Sequence, residues 1–128
     1  METHDPIIHK SFKDLAPMIL RKRLVVEALT HREMISSDIR SYLIALSRRM
    51  NMTIVSMPQI QHEEAYGYSG YLCWKESGCH MYSWKQTEDR PHFVSIDIYT
   101  CKDFVIDDVI QFTRLHFKDG LQELTWRT

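Results

Sequence analysis

The sequence predicts an α+β fold: a two-layer α/β sandwich, with a mostly antiparallel sheet and two helices on one face. Three observations carry that expectation. Two segments, one from Ile39 to Met50 and one from Val105 to Phe117, space their apolar residues by three and four, the period of a helix. The other ordered runs are short and rich in β-branched and aromatic residues, and turns join several of them, so neighbouring strands run antiparallel. A chain of 128 residues with 44% hydrophobic residues builds one core. Two helices cover one face of such a sheet. The other face, whose strands carry Tyr, Trp and Phe, meets solvent or a partner.

The elements follow in order. Residues 1–22 read as an irregular arm, broken by Pro6 and Pro17; residues 23–128 form the domain. "RLVVEAL" (Arg23 to Leu29) is the first strand. Ser36, Ser37 and Asp38 offer N-caps to a helix whose apolar face is Ile39, Tyr42, Leu43, Leu46 and Met50, running to about Asn51. "TIVSM" (Thr53 to Met57) is a short strand that Pro58 ends, and the polar stretch from Gln59 to Gly67 is a loop. "SGYLCWKE" and "GCHMYSW" are two strands with Ser77-Gly78 between them, and Lys85 to Pro91 is a charged turn. "HFVSIDIYTC" (His92 to Cys101) is the clearest strand. Asp103 caps a helix through Val105, Val109, Ile110, Phe112, Thr113 and Phe117, and Gly120 stops it. "LQELTW" closes the order β-α-β-β-β-β-α-β.

Composition narrows the function. A net charge of −1 gives no bulk attraction to nucleic acid or membrane. Arg21-Lys22-Arg23 and Arg48-Arg49 read as solvated faces. No apolar run approaches the ~20 residues that span a bilayer, and the acidic, mixed start lacks a signal-peptide core, so the expected location is the cytoplasm. Cys73, Cys79 and Cys101 are an odd set and read as free thiols. Seven histidines are scattered without metal-ligand spacing, so no metal is expected.

The chemistry concentrates in "YGYSGYLCWKESGCHMYSW", Tyr66 to Trp84. A serine followed by glycine in a turn has backbone freedom. Its hydroxyl can attack the preceding carbonyl, here that of Glu76, and elimination of the resulting ester leaves a pyruvoyl group at the new amino terminus. Such a ketone forms a Schiff base with a substrate amine and accepts electrons as carbon dioxide leaves. On spacing alone, Glu-Ser-Gly reads as an ordinary hairpin turn.

The stretch "YSGYLCWKESGCHMYSW", the later "SIDIYTC", and "RLVVEA" with Glu27 resemble the pyruvoyl-dependent S-adenosylmethionine decarboxylases of the small prokaryotic type. The resemblance runs from about Arg23 to the C-terminus. It implies that Ser77 is the precursor of a pyruvoyl cofactor and that Glu76 supplies the attacked carbonyl. Ser69 matches a serine that assists processing, and Cys101 matches the cysteine that returns a proton to the substrate α-carbon, a task suited to a thiol's tunable pKa. The resemblance also implies that Glu76 lies beside the bound nucleoside. The implied partner is a small amino-acid substrate and the implied assembly a homodimer, with site residues near or across its interface.

The chain departs from the family pattern in four places. Gly78 stands where histidine follows the serine, and Tyr82 replaces the histidine that acts as base in the elimination. A phenol, with an ordinary pKa near ~10, is a poor base at neutral pH; His80, two residues earlier on the same face, is placed to take over the role. Glu63 occupies the position of an aromatic that stacks on adenine, leaving Tyr66 or Tyr68 to stack instead. The turn "KQTEDRPH" is longer than expected. An unprocessed, non-catalytic homologue and a decarboxylase of another amino acid therefore stand beside the S-adenosylmethionine reading. A dimerising domain without a small-molecule role stands as the third alternative.

Overall fold

The structure is a computed structural model that describes residues 5–128; the first four residues of the expected arm lie outside the described residues. Its elements are β1 (Lys22–Thr30), α1 (Ser36–Arg49), β2 (Gln59–Glu63), β3 (Gly67–Trp74), β4 (Ser77–Trp84), β5 (Phe93–Thr100), α2 (Ile106–His116) and β6 (Leu121–Arg127). The six strands form one sheet in the order β2-β3-β4-β5-β1-β6, with every neighbouring pair antiparallel. Both helices bury their apolar stripes in one core with one face of the sheet. The expected α+β sandwich is the fold observed.

Period-two burial builds the sheet side of that core. Leu24, Val26 and Ala28 of β1 point into it, as do Leu72 and Trp74 of β3, Met81 of β4, and Val94, Ile96 and Ile98 of β5. From the helices come Ile39, Tyr42, Leu43 and Leu46 on α1 and Val109 and Ile110 on α2. Two polar links fix the layers in register. The Trp74 indole N–H donates to Ser47 Oγ (2.7 Å), which itself donates to the Leu43 carbonyl (2.6 Å). The Tyr42 and Thr113 hydroxyls join α1 to α2 at 2.8 Å. Burial pushes the Tyr42 hydroxyl and the Cys79 thiol far up, so both stay neutral and structural.

Several local expectations are corrected. Thr53 to Met57 contributes one bridge, Ile54 to Trp74, and the second strand is β2, inside the stretch expected as loop. An edge strand needs backbone pairing and one inward side chain, so "QIQHE" shows little apolar alternation. Its Ile60 lies against Gly70, where an added Cβ would meet Ile39 Cγ2, so the glycine lets α1 close on the sheet. The first helix is capped from inside: the Asp38 carboxylate accepts the Ile35 N–H (2.8 Å) and both guanidinium nitrogens of Arg32 (2.9 Å each). Asp103 lies outside α2, accepting the Phe104 N–H (2.8 Å) and the Lys22 ammonium (2.9 Å). The β3–β4 turn is Lys75-Glu76, and Ser77 is already the first residue of β4.

Candidate active site

The sheet face away from the helices carries the candidate chemistry, in rows set by strand register. One row runs Gln61–Ser69–Tyr82–Ser95–Glu27 from β2 to β1. The next runs Gln59–Tyr71–His80–Asp97–Val25. Gly78 and Tyr99 lie one row further towards the β3–β4 turn, with Arg23 beside them on β1. His80 and Tyr82 share this face, as period two requires, and their rings lie nearly parallel at 5.9 Å. Tyr71 packs against His80 at 4.3 Å, and Trp84 extends the aromatic stripe from Tyr82 at 5.8 Å.

Ser77, the first residue of β4, pairs with the buried Trp74 and Thr100, lines the pocket at the end of this face, and has a φ of +139°. L residues avoid that region because the side chain crowds its own backbone; holding one there costs on the order of 1–3 kcal/mol. The surrounding contacts over-determine it. The Glu76 carboxylate accepts both the N–H and the hydroxyl of Thr53 (3.0 Å each), and the Lys75 N–H donates to the Thr53 carbonyl (2.8 Å). The Thr53 amide, above all, draws the Glu76 carboxyl below its usual range. On the other side, the Cys101 N–H donates to the Glu76 carbonyl at 2.9 Å. The Glu76–Ser77 peptide is therefore held through its acyl oxygen, its neighbouring side chain and the two flanking strands. Cys101 itself is solvent-exposed, just past β5.

Gly78 is required by a close approach. A Cβ there would lie 2.7 Å from the Tyr71 hydroxyl and 2.9 Å from the Leu72 carbonyl oxygen. The Tyr71 ring has taken the space beside Gly78, and its hydroxyl reaches the Ser77 carbonyl at 3.5 Å. Desolvation raises the pKa of that phenol above its ordinary range. Ser77, Gly78, Tyr71, His80, Asp97 and Arg23 line a shallow pocket of about 380 Å³. In it, Arg23 grips Asp97 through two nitrogens, at 3.0 and 2.6 Å.

Ser69 and Tyr82 face each other across β3 and β4, but they are not beside Ser77. Tyr82 is five residues along β4, about 16 Å at a strand's rise. Both belong to a second pocket of about 360 Å³ that also contains Tyr66, Tyr68, Glu63 and Trp84. Tyr66 is exposed at its mouth, whereas Tyr68 is half-buried against the His62 ring at 4.5 Å. The long 85–91 turn folds back here, with Arg90 donating to the carbonyls of Lys85, Ala65 and Tyr66. Thr53, Tyr71, Arg23, Asp97 and Arg90 escape a reading by motif. Only the alternation of "SIDIYTC" marks Asp97 as facing away from the core.

Residues 23–125 match the S-adenosylmethionine decarboxylase family. The chain belongs to that family. The match spans the whole sheet and both helices apart from the outermost residues of β1 and β6, and it leaves the arm outside. No curated protein gives a significant match. Membership in the decarboxylase family supports an S-adenosylmethionine decarboxylase-like function, carried on a fold in which no helix among the described residues is long and apolar enough to cross a membrane.

Proposed function

We propose that the chain cleaves itself between Glu76 and Ser77 and, with the resulting pyruvoyl group, decarboxylates S-adenosylmethionine for polyamine synthesis. The observation that carries this reading is the Cys101 N–H on the Glu76 carbonyl oxygen, at 2.9 Å. When the Ser77 hydroxyl adds to the Glu76 carbonyl carbon, charge develops on that oxygen, and a donor already in place stabilises it. The strained φ of Ser77 raises the starting state and is relieved as the peptide bond becomes an ester. Loss of the Ser77 α-proton, with His80 of the same pocket as base, expels the Glu76 carboxylate. Water then displaces ammonia from the remaining enamine and leaves the ketone. The pyruvoyl group supplies the electron sink for decarboxylation. The exposed Cys101 thiol is the proton donor to the substrate α-carbon.

The separation of Ser69 and Tyr82 from Ser77 is met by a homodimer in which the open sheet faces meet, so that one copy's Ser69–Tyr82 row serves the other copy's Ser77. The pocket containing Tyr66 and Tyr68 then lies near the reacting centre and takes the nucleoside. Glu76, with its carboxylate already engaged by Thr53, contributes mainly by holding the acyl side.

One observation favours a second substrate. Glu63 stands in the aromatic pocket where the family stacks a ring on adenine, and no lysine or arginine lines that pocket. Without that ring the pocket has less need of an adenine, so an amine-bearing amino acid other than S-adenosylmethionine is the second reading; the aromatic and carboxylate lining fits the cation of either.

Intact-mass measurement of the purified protein tests the processing. Two fragments, 1–76 and a blocked 77–128, are expected, and Ser77→Ala is expected to stay whole. A single full-length mass after prolonged incubation would leave an unprocessed homologue that binds without catalysis. Carbon dioxide release from S-adenosylmethionine and from basic amino acids then separates the two substrates.

A further inference from the structure

Residues 5–20 form no helix or strand, yet they do not have the composition of a solvated tail. Ile7, Ile8, Phe12, Leu15 and Met18 are 74–90% exposed, and Ile19 and Leu20 about half. Their hydrogen bonds are local. The Asp14 carboxylate accepts the Ala16 N–H (2.9 Å) and the Arg21 guanidinium, the Ile19 N–H donates to the Ala16 carbonyl (2.9 Å), and Arg21 Nε donates to the Ile19 carbonyl (3.2 Å). The turn from Asp14 to Arg21 thus satisfies polar groups within itself and offers an apolar surface outward. It is a preformed element awaiting a cover.

We infer that this arm docks on a second copy of the same chain, two arms being exchanged across a two-fold axis. Area favours that occupant. At about 60–120 Å² for each buried apolar side chain, the seven amount to roughly 600 Å² per arm. Two arms, each meeting an equal area of the other copy, cover about 2,400 Å², more than a standard stable interface buries. Position favours it too. Lys22, at the arm's root, pairs with Thr100, which pairs with Ser77. The arm therefore leaves the sheet beside the strained serine, where Tyr99 and Val105 are also exposed apolar surface. A reciprocal arm holds the second copy at that end. The inference needs neither cleavage nor substrate; it shares only the dimer with the proposed function, and the chain without its arm separates the two.

Sedimentation equilibrium of the full chain and of the chain lacking residues 1–20 tests it. Removal of the arm is expected to weaken the dimer at least tenfold, and Phe12→Ser with Met18→Ser to do so without changing the melting of the domain, since both side chains lie in solvent in the single copy. A monomeric full chain, or an unchanged dissociation constant, would overturn it. A benzophenone amino acid in place of Phe12, irradiated in an equal mixture of isotopically heavy and light copies, reads the occupant directly. Heavy-to-light cross-links support exchange; links only within one copy, or none, overturn it.

Discussion

Ser77 is the residue on which structure and chemistry meet, and its backbone can be tested apart from its hydroxyl. At φ +139° glycine is at ease and alanine is not. Under the proposed self-cleavage, Ser77→Gly and Ser77→Ala both remove the nucleophile, so neither is expected to be cut. The glycine variant is expected to be the more stable by about 1 kcal/mol in urea denaturation, the relieved strain exceeding glycine's added chain entropy. Equal midpoints would mean that the turn stores no strain. Gly78 gives the converse: Gly78→Ala is expected to cost about 1–3 kcal/mol, because its Cβ meets the Leu72 carbonyl as well as the movable Tyr71 ring. Tyr71→Ala in the same chain is expected to recover only part of that loss.

At the scale of elements, α1 is tied to β3 by one buried hydroxyl. Ser47→Ala leaves the Trp74 indole N–H without an acceptor in the core, and chemical denaturation is expected to show a loss of about 1–3 kcal/mol. The C-terminal turn of α2 carries a pH dependence. His116 packs against the rings of Tyr42, Phe112 and Phe117, and burial lowers its pKa below 6.5, against a smaller opposing pull from Asp38. The unfolded chain therefore binds that proton more readily. The stability this site contributes is complete above about pH 6.5 and is lost as pH falls through the folded pKa. Melting temperatures between pH 7.5 and 5 are expected to decline in the wild type and to decline less in His116→Leu. Asp38 acts in a lower window: the Arg32 guanidinium holds its carboxyl below the usual carboxylate range, so that contribution disappears only at more acid pH.

For the whole molecule, the decisive property is the division of the site along β4. If one copy's Ser69–Tyr82 row serves the other's Ser77, two variants that are each uncut complement one another. Co-expressed Ser69→Ala and Ser77→Ala chains are expected to yield cut Ser69→Ala chains, because a mixed dimer contains one complete site. Absence of cleavage in the mixture, where the wild type is cut and mixed dimers form, would mean that Ser69 and Ser77 act within one chain. That result would contradict the 16 Å estimate from strand rise.

The order of strands and helices and the buried stripes of α1 and α2 were legible in the sequence because burial repeats with the local period of each element. The cluster from Ser69 to Trp84 was legible as a motif, and so was the sharing of one face by His80 and Tyr82. The second strand was misplaced because an edge strand such as β2 is defined by its partner's backbone and leaves almost no apolar pattern of its own. The Thr53 clamp on Glu76 joins residues 23 apart, and the Arg23–Asp97 pair joins residues 74 apart. Such contacts depend on which strands lie side by side, a long-range choice made by the packed core. Sequence alone thus determined what kind of sheet this chain makes and singled out Ser77, which the structure places just past the turn as the first residue of β4. Only the tertiary structure decided that the carbonyl before that serine meets the Cys101 amide, and that Ser69 and Tyr82 lie a strand's length away, because hydrogen-bond register across a sheet is a property of the assembled fold.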